Sequence, residues 1–556
     1  MIKRICTFSI TLLSCINLFS QVPNWLWAIG SGGNGFDAGV RVCADANSNI
    51  YVAGNFASNT ITFGTVILTN AGGSCGGPGV CNDVFLTKQD NSGNYLWAKR
   101  AGGNSDDVAV GSATDIYNNI YVIGNFRSSS IAFGNTTLTN SSIDTNDIFL
   151  AKYDALGNVI WAKRIGGGAQ DDAASICTDS NGEVYVCGNF KSAFLTVGST
   201  TLVNALTGNS DMFIAKFDTS GASLWAQRFG GTMEDISTSI SLVNNASIYL
   251  AGSFNSPSIS FGSITLTNTT IGTGDISITR FDTSGNIIWA KGIGGTNYDI
   301  AYVSMNSNAD IFLAGHYGDT MQIANDTLIA SGGKDVFIAK FDASGTAVWG
   351  RSFGGNQHDI CASITTDLNN NFYITGYFVS STIAFSSFIL TSPGNFTIFV
   401  TKFDASGNVV WATSPGGGNA IDIGDCIATD SFGHVLLTGI YGSSTVSFGS
   451  TTLPNPNGTD MFIAKMDAVT GIIDLKSPKT FAIYPNPSAR SFYLSFDEKI
   501  IRGKITLLNV FGDIVYEDAI LNESKKEINI NILSQGIYFV KVFEGKMSYC
   551  NKLIVE

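Results

Sequence analysis

Seven tryptophans constrain this chain most. Trp27, Trp97, Trp161, Trp225, Trp289, Trp349 and Trp411 follow one another at intervals of 70, 64, 64, 64, 60 and 62 residues, so one unit recurs along most of the 556-residue sequence. Each Trp leads into a Gly-Gly turn and an Asp. A short apolar segment, an Asp/Asn/Gly turn and an aromatic-rich strand come next, as in Ile50-Tyr51-Val52-Ala53-Gly54-Asn55-Phe56. A Phe-Gly element follows (Phe63-Gly64, Phe133-Gly134, Phe261-Gly262, Phe448-Gly449), then a strand such as Asp147 to Asp154 and a turn back to the next Trp. Four short strands per unit, with nothing at helical period, predict a small antiparallel sheet. One such sheet cannot bury both faces, and radial stacking of neighbours gives a β-propeller. The expected fold class is therefore all-β: a seven-bladed β-propeller over residues 21–474, with each Trp as blade-to-blade anchor.

Strand counting predicts how the ring closes. The last unit ends after Met461 to Asp467 without its Trp strand, whereas Asn24-Trp25-Leu26-Trp27-Ala28 stands spare at the other end. The spare strand is expected to pair into the final blade and remove an open edge.

Composition changes beyond Asp474. Residues 21–480 hold 20 Lys+Arg against 35 Asp+Glu, while residues 481–556 hold nine of each. The acidic majority excludes a phosphate-backbone binder, so no nucleic acid is expected as partner. Residues 475–480 read as a linker, and 481–556 as a C-terminal domain with alternating strands of an Ig-like β-sandwich. At the N-terminus, Lys3 and Arg4 precede an apolar stretch of fifteen residues, too short to span a bilayer, and residues 1–20 read as a signal peptide cut near Ser20. Leu12 to Cys15 offers a lipobox as the alternative. No later transmembrane segment is expected.

Two resemblances carry these readings further. The recurring Trp-Ala-Lys, Tyr-Val-x-Gly-Asn-Phe and Phe-Ile-Ala-Lys-Phe-Asp elements resemble the SBBP-type bacterial β-propeller repeat family, whose members are mostly secreted or surface proteins without a common catalytic activity. The C-terminal residues Tyr484-Pro485-Asn486-Pro487, Asn509-Val510-Phe511-Gly512, Gly536 to Val540 and Lys552 to Val555 resemble the type A C-terminal sorting domain of the Bacteroidetes type IX secretion system. That resemblance implies Sec export, the type IX machinery as partner, outer-membrane translocation, and a secreted or cell-surface destination.

Chemistry on the repeats centres on aspartates. Asp37, Asp107, Asp171, Asp235, Asp299 and Asp359 each lie ten residues after their Trp, and Asp422 eleven. A ring of seven carboxylates needs compensation: backbone N–H groups of the Gly-rich turns, or a hard cation such as Ca²⁺. Recurrence in every unit favours the structural role. Lysines 88, 152, 216, 340, 402 and 465 read as solvated or inter-blade pairs worth little. Eight Cys follow the leader; Cys75 and Cys81 form the candidate disulfide, while Cys177 and Cys187 face each other only in one strand register. Catalytic equipment is thin. Only His316, His358 and His434, with Glu183 and Glu234, stand among residues 21–480, and no catalytic motif appears. His358, beside Asp359, reads as a candidate base or a surface residue, and His316 as an adjustment of a blade edge. The expected function is a monomeric, non-enzymatic binder of an extracellular glycan or protein, using variable loops at Gly72 to Cys81, Thr139 to Asn146 and Phe396. A polysaccharide-cleaving enzyme and a purely structural surface protein are the rivals.

Overall fold

The computed structural model describes residues 22–73, 80–306, 308–455, 458–468, 481–509, 514–531, 533–544 and 547–556. Two compact units, Met1–Thr470 and Gly471–Glu556, divide the chain. This boundary lies four residues before the expected end of the repeats. The expected signal peptide and linker lie outside the described residues.

Among the described residues the first unit contains seven four-stranded antiparallel sheets. The first sheet is made of Asp37–Ala44, Ile50–Phe56, Asp83–Gln89 and Tyr95–Ala101, and the same order recurs down the chain. The seventh sheet takes its outer strand from the N-terminal side: Trp25–Ser31 pairs antiparallel with Asp460–Met466, with Ala28 opposite Ala464 and Ser31 opposite Met461. The expected closure is thus present. Leading strands lie side by side around the unit, and the seventh, Asp422–Thr429, returns to the first, Asp37–Ala44. Hydroxyls tie successive leading strands together, as where Thr178 Oγ1 donates to Thr114 O at 2.7 Å and Thr366 Oγ1 to Met305 O at 2.6 Å. The ring is sealed where Ser48 and Ser431 hydroxyls meet at 2.6 Å.

Burial follows from stacking. The second and third strands of a sheet are buried on both faces, so they read as near-continuous apolar runs such as Ile120–Phe126. The core lies between sheets: Tyr51, Ala53 and Val84 of the first pack on Ile120, Val122 and Phe149 of the second. In the outer two-stranded hairpins, the Phe of Phe-Gly points inward, with Phe63 4.9 Å from Phe85. The following glycine takes a left-handed turn, φ 61° at Gly64, a conformation that suits glycine.

The tryptophans bridge neighbouring sheets as expected but differ in burial. Trp411 is fully buried and Trp289 nearly so, but Trp27, Trp97, Trp161, Trp225 and Trp349 are half-buried at the outer rim. They still bridge neighbours. Trp97 Nε1 donates to Ala155 O of the next sheet at 3.2 Å, and Trp161 Nε1 to Thr219 O at 3.1 Å. The seam itself is filled by second-strand tyrosines, with Tyr121 5.9 Å from Trp161. Trp411→Ala should therefore cost about 3–5 kcal/mol and Trp27→Ala about 1–2 kcal/mol, read by chemical denaturation; equal costs would contradict this packing.

The lysines also depart from expectation. Lys88, Lys152, Lys402 and Lys465 are buried, each within 4.0 Å of an Asp in its own sheet. Lys152 also donates to Thr219 O of the next sheet at 3.4 Å and lies 4.8 Å over the Tyr121 ring. They are not solvated, because stacking covers the face on which they lie. Cys177 pairs with Tyr185 and Cys187 with Ser175, so that pair does not face and both thiols are free. Cys81 is disulfide-bonded and buried; Cys75 lies outside the described residues.

The second unit is a single five-stranded sheet around one apolar cluster that includes Phe492, Ile505, Ile528, Val540 and Leu553. Its long strand Ser491–Leu508 has an irregular register between Ser495 and Ile500, and pairs at one end with Phe481–Tyr484 and at the other with Gly536–Glu544. Tyr484, Pro485, Asn486 and Pro487 lead back to the C-terminus. Asn486 Nδ2 donates to Lys552 O at 2.7 Å and its Oδ1 accepts from Ile554 N at 2.9 Å, joining the two ends of the domain.

Candidate functional site

Each repeated aspartate sits at the start of a leading strand, is buried, and has its own cradle. Ser128 donates to Asp107 through Oγ at 2.7 Å and N–H at 3.2 Å; Ser58, Ser192, Ser256, Ser380 and Ser443 serve Asp37, Asp171, Asp235, Asp359 and Asp422 in the same way. Asp299 accepts only a longer bond from Gly318 N at 3.4 Å. The Gly-Gly turn closes each cradle. A Cβ on Gly103 would stand 2.6 Å from Ser128, and one on Gly102 only 2.0 Å from Asp83 Oδ1. The carboxylates are thus held one per seam by hydrogen bonds, and among the described residues no three His, Cys, Asp or Glu side chains gather as metal ligands. The cation alternative finds no grouped donor set there.

A second set of aspartates escaped the sequence reading. Asp83, Asp147, Asp211, Asp275 and Asp460 open the third strands, Asp335 holds the equivalent register within the longer strand Asp326–Phe341, and all are buried beside the leading Asp of the next sheet. Their recurrence one residue before a Phe- or Ile-rich strand was the available signal. Three have an arginine from the outer strand: Arg100 to Asp83 at 2.6 Å, Arg164 to Asp147 at 2.8 Å and Arg228 to Asp211 at 2.6 Å. Gly292, Ser352 and Gly30 occupy the equivalent register, so Asp275, Asp335 and Asp460 lack that cation; one oxygen of each is buried without a partner, as is one of Asp83 and of Asp211. Burial first, then the facing carboxylate, pushes Asp299 up to about 8 and Asp335 and Asp460 to about 6.

Above this constant layer lies a variable one. The leading Asp of one sheet donates its N–H to the carbonyl of the residue before the third-strand Asp of the previous sheet, as from Asp107 to Asn82 O and from Asp299 to Gly274 O, both at 2.8 Å. The residues just ahead of the two aspartates therefore meet at each seam. At the first three seams polar and acidic residues at or beside these positions satisfy one another: Asn82 N–H donates to Asp106 at 2.9 Å, Asn146 to Asp172, just after the leading Asp, at 2.8 Å, and Lys191, just after the second strand, pairs with Glu234 at 2.7 Å. From the fourth seam onward the character changes to Tyr298, Lys334 with His358, Phe396 with Ile421, and Phe36. Phe36 is 49 % exposed and Ile421 44 %. Phe396 is half-buried against Tyr377, with ring centroids 4.8 Å apart. The edge is polarised.

The fifth sheet concentrates the departures from the repeat. Lys334 N–H donates to His358 Nδ1 at 3.0 Å, and its ammonium lies 5.3 Å over the Tyr298 ring. His316 takes the place that Asn55, Asn125 and Asn189 hold in earlier sheets. There the Asn accepts a backbone N–H from the next leading strand, at 2.6 Å from Ala109 to Asn55; His316 is buried with Nδ1 unpartnered. Burial, with Lys334 nearby, pushes it down to about 4, so it is neutral. The sequence separates these groups by 18 to 60 residues, and only the seam unites them. Deeper in the ring, Arg41, Tyr302 and Asp425 approach from leading strands of three sheets. Burial raises Asp425 to about 7 against the pull of Arg41, yet the two form no ion pair within 4.0 Å. His434 is structural, held 2.8 Å from Asp430 in its turn. Of the expected contact loops, residues 74–79 lie outside the described residues, while Thr139 to Asn146 and Phe396 fall on this polarised edge.

Residues 482–556 match the secretion system C-terminal sorting domain family, which supports export of this chain by the type IX system to the cell surface or beyond. An uncharacterized WD repeat-containing protein of Acanthamoeba polyphaga mimivirus is 25 % identical over 87 % of this chain and 41 % of its own length. The regulatory protein FlaEY of Caulobacter vibrioides is 30 % identical over 31 % of this chain and 18 % of its own. The chain spans less than half the length of these curated relatives. Among solved structures, the Neurospora crassa Pan2 WD40 domain has a TM-score of 0.37 at 10 % identity, covering 81 % of this chain and 99 % of that one. A fungal alcohol oxidase of the AA5 family has a TM-score of 0.41 at 12 % identity, covering 96 % and 100 %.

Proposed function

We propose that this is a secreted, non-catalytic, seven-bladed β-propeller of the SBBP-repeat kind, carrying an Ig-like sorting sandwich, that binds an extracellular glycan or protein on the polarised edge. The polarisation itself carries the reading. A scaffold role needs only the constant Asp–Ser–Gly layer, whereas unlike residues at equivalent positions, aromatic and basic on one side and acidic on the other, make a surface that distinguishes ligands. Type IX export places that edge where extracellular polymers are available. The gathering of Tyr298, Lys334 and His358 where the fifth and sixth sheets adjoin favours a polysaccharide-cleaving enzyme as the second reading.

The chain from residue 21 to 556 is expected to bind saturably to at least one member of a panel of immobilised extracellular polysaccharides and proteins. Tyr298→Ala should weaken that binding about tenfold without release of shortened products. Cleavage products would select the enzyme, and no saturable binding would leave a purely structural role.

A further inference from the structure

Resting on that reading, we propose that the ligand is an anionic saccharide, with its carboxylate or sulfate on Lys334 and a sugar ring against Tyr298. Most cations buried among the repeats are neutralised from within, whereas Lys99, Arg127, Lys163 and Lys291 have no carboxylate within 4.0 Å among the described residues. Lys88, Lys152, Lys216, Lys402 and Lys465 each have a carboxylate within 4.0 Å, and Arg100, Arg164 and Arg228 likewise. Lys334 has none within 4.0 Å among the described residues, although it is half-buried and the whole chain carries a net −13. Its ammonium rests on an aromatic face, and the carboxyl that acts on it, buried Asp299, is pushed up to about 8 and so is largely neutral at pH 7.

The surroundings add donors and a platform. Because His358 Nδ1 accepts the Lys334 N–H, its neutral ring carries its proton on Nε2, leaving a second donor for the ligand. His358 is exposed, and beneath it His316 is 6 % exposed with Nδ1 unpartnered. Tyr298 is half-buried and stands over Gly274, where a Cβ would lie 2.6 Å from its ring, so a side chain there would displace the platform. Aromatic faces flanked by donors suit a sugar ring, and an unneutralised ammonium selects its acidic substituent. Glu234, at the adjoining seam, acts electrostatically on Tyr298, and with Asp106 it opposes a polyanion lying over the whole edge. A long phosphate backbone is excluded; one charged unit held locally is not.

Calorimetric titration of the chain from residue 21 to 556 with trigalacturonate, a sulfated carrageenan oligosaccharide and an uncharged galacto-oligosaccharide, each at low and high salt, tests this. At least one charged sugar should bind, weakening with salt, and the uncharged one should bind about tenfold less well or not at all. The charged arm that binds tells carboxylate from sulfate. Lys334→Gln should lose about tenfold or more, Lys334→Arg should keep most of the affinity, and Lys99→Gln, on an outer strand, should change nothing, all with melting unchanged at pH 5.5, where Asp299 is protonated. Equal binding of the uncharged sugar, or an unaffected Lys334→Gln, overturns the anion assignment. If an uncharged glycan or a protein binds and Tyr298→Ala abolishes it, the binding edge stands and only its anion preference falls; if nothing binds, both fall.

Discussion

Removing residues 22–31 is expected to lower the melting temperature of the repeat unit by about 10 °C or more, and adding a peptide of that segment should restore part of the loss. The strand Trp25–Ser31 supplies six register pairs to Asp460–Met466. At about 0.5–1.5 kcal/mol net per backbone hydrogen bond, its ladder is worth several kcal/mol before any burial. Packing adds to that. Trp25 lies edge-on to Phe448 with centroids 4.9 Å apart, and Ala28 joins the cluster containing Trp411, Leu437 and Phe462. Asp467 N–H donates to Asn24 O at 2.9 Å just beyond the strand. Without the segment, Asp460–Met466 becomes an exposed edge next to buried Lys465, whose Asp430 partner at 2.7 Å would then meet solvent. An open edge also invites self-association, so light scattering above the transition should rise. An unchanged melting curve would mean that the seventh sheet stands on three strands and that ring closure contributes nothing.

Closure was legible because it needs only counting: seven Trp strands, one of them spare at the far end from the gap. The leading aspartates were legible for the same reason, since a fixed interval after each Trp makes a pattern without any knowledge of neighbours. What escaped the sequence depends on contacts between units. The repeated Trp looked like a seam residue because indoles are large and apolar, yet the outer strand faces the rim, and only in the sixth sheet and, nearly, the fourth does packing cover the ring. The repeated lysines looked solvated because lysine usually is; stacking of one sheet on the next covers them, and Asp45, Asp115, Asp367 and Asp430 supply the countercharge. Lys334 and His358 meet because adjacent sheets bring two variable positions together, a juxtaposition that no spacing rule contains.

Those same seams make stability depend on pH. Burial, opposed in part by the Ser and Gly N–H and hydroxyl donors, raises Asp107 and Asp171 to about 7, Asp299 to about 8, and Asp335 and Asp460 to about 6, while Asp425 in the ring rises to about 7 against Arg41. A carboxyl whose pKa is higher in the folded state binds more protons there than in the unfolded chain, so folding is favoured at the acid end of the window. That advantage is lost as pH climbs from near 4 through the folded values. Aspartates shifted the other way, such as Asp154 and Asp282 in their turns, change stability only below about pH 4 and leave this window alone. Melting temperature should therefore fall from pH 5.5 to 8.5 by about 5 °C or more. The Asp275–Asp299 seam should carry the largest single share, because the carboxyl raised furthest lies there and no arginine reaches it. Asp299 is the sharpest case: it has no Ser hydroxyl donor, faces Asp275, and keeps Oδ2 without a partner, with Lys334 as the nearby cation. Asp299→Asn should raise the melting temperature at pH 8.5, change it little at pH 5.5, and flatten the profile between them. A profile as steep as that of the unaltered chain would show that Asp299 does not ionise within this window.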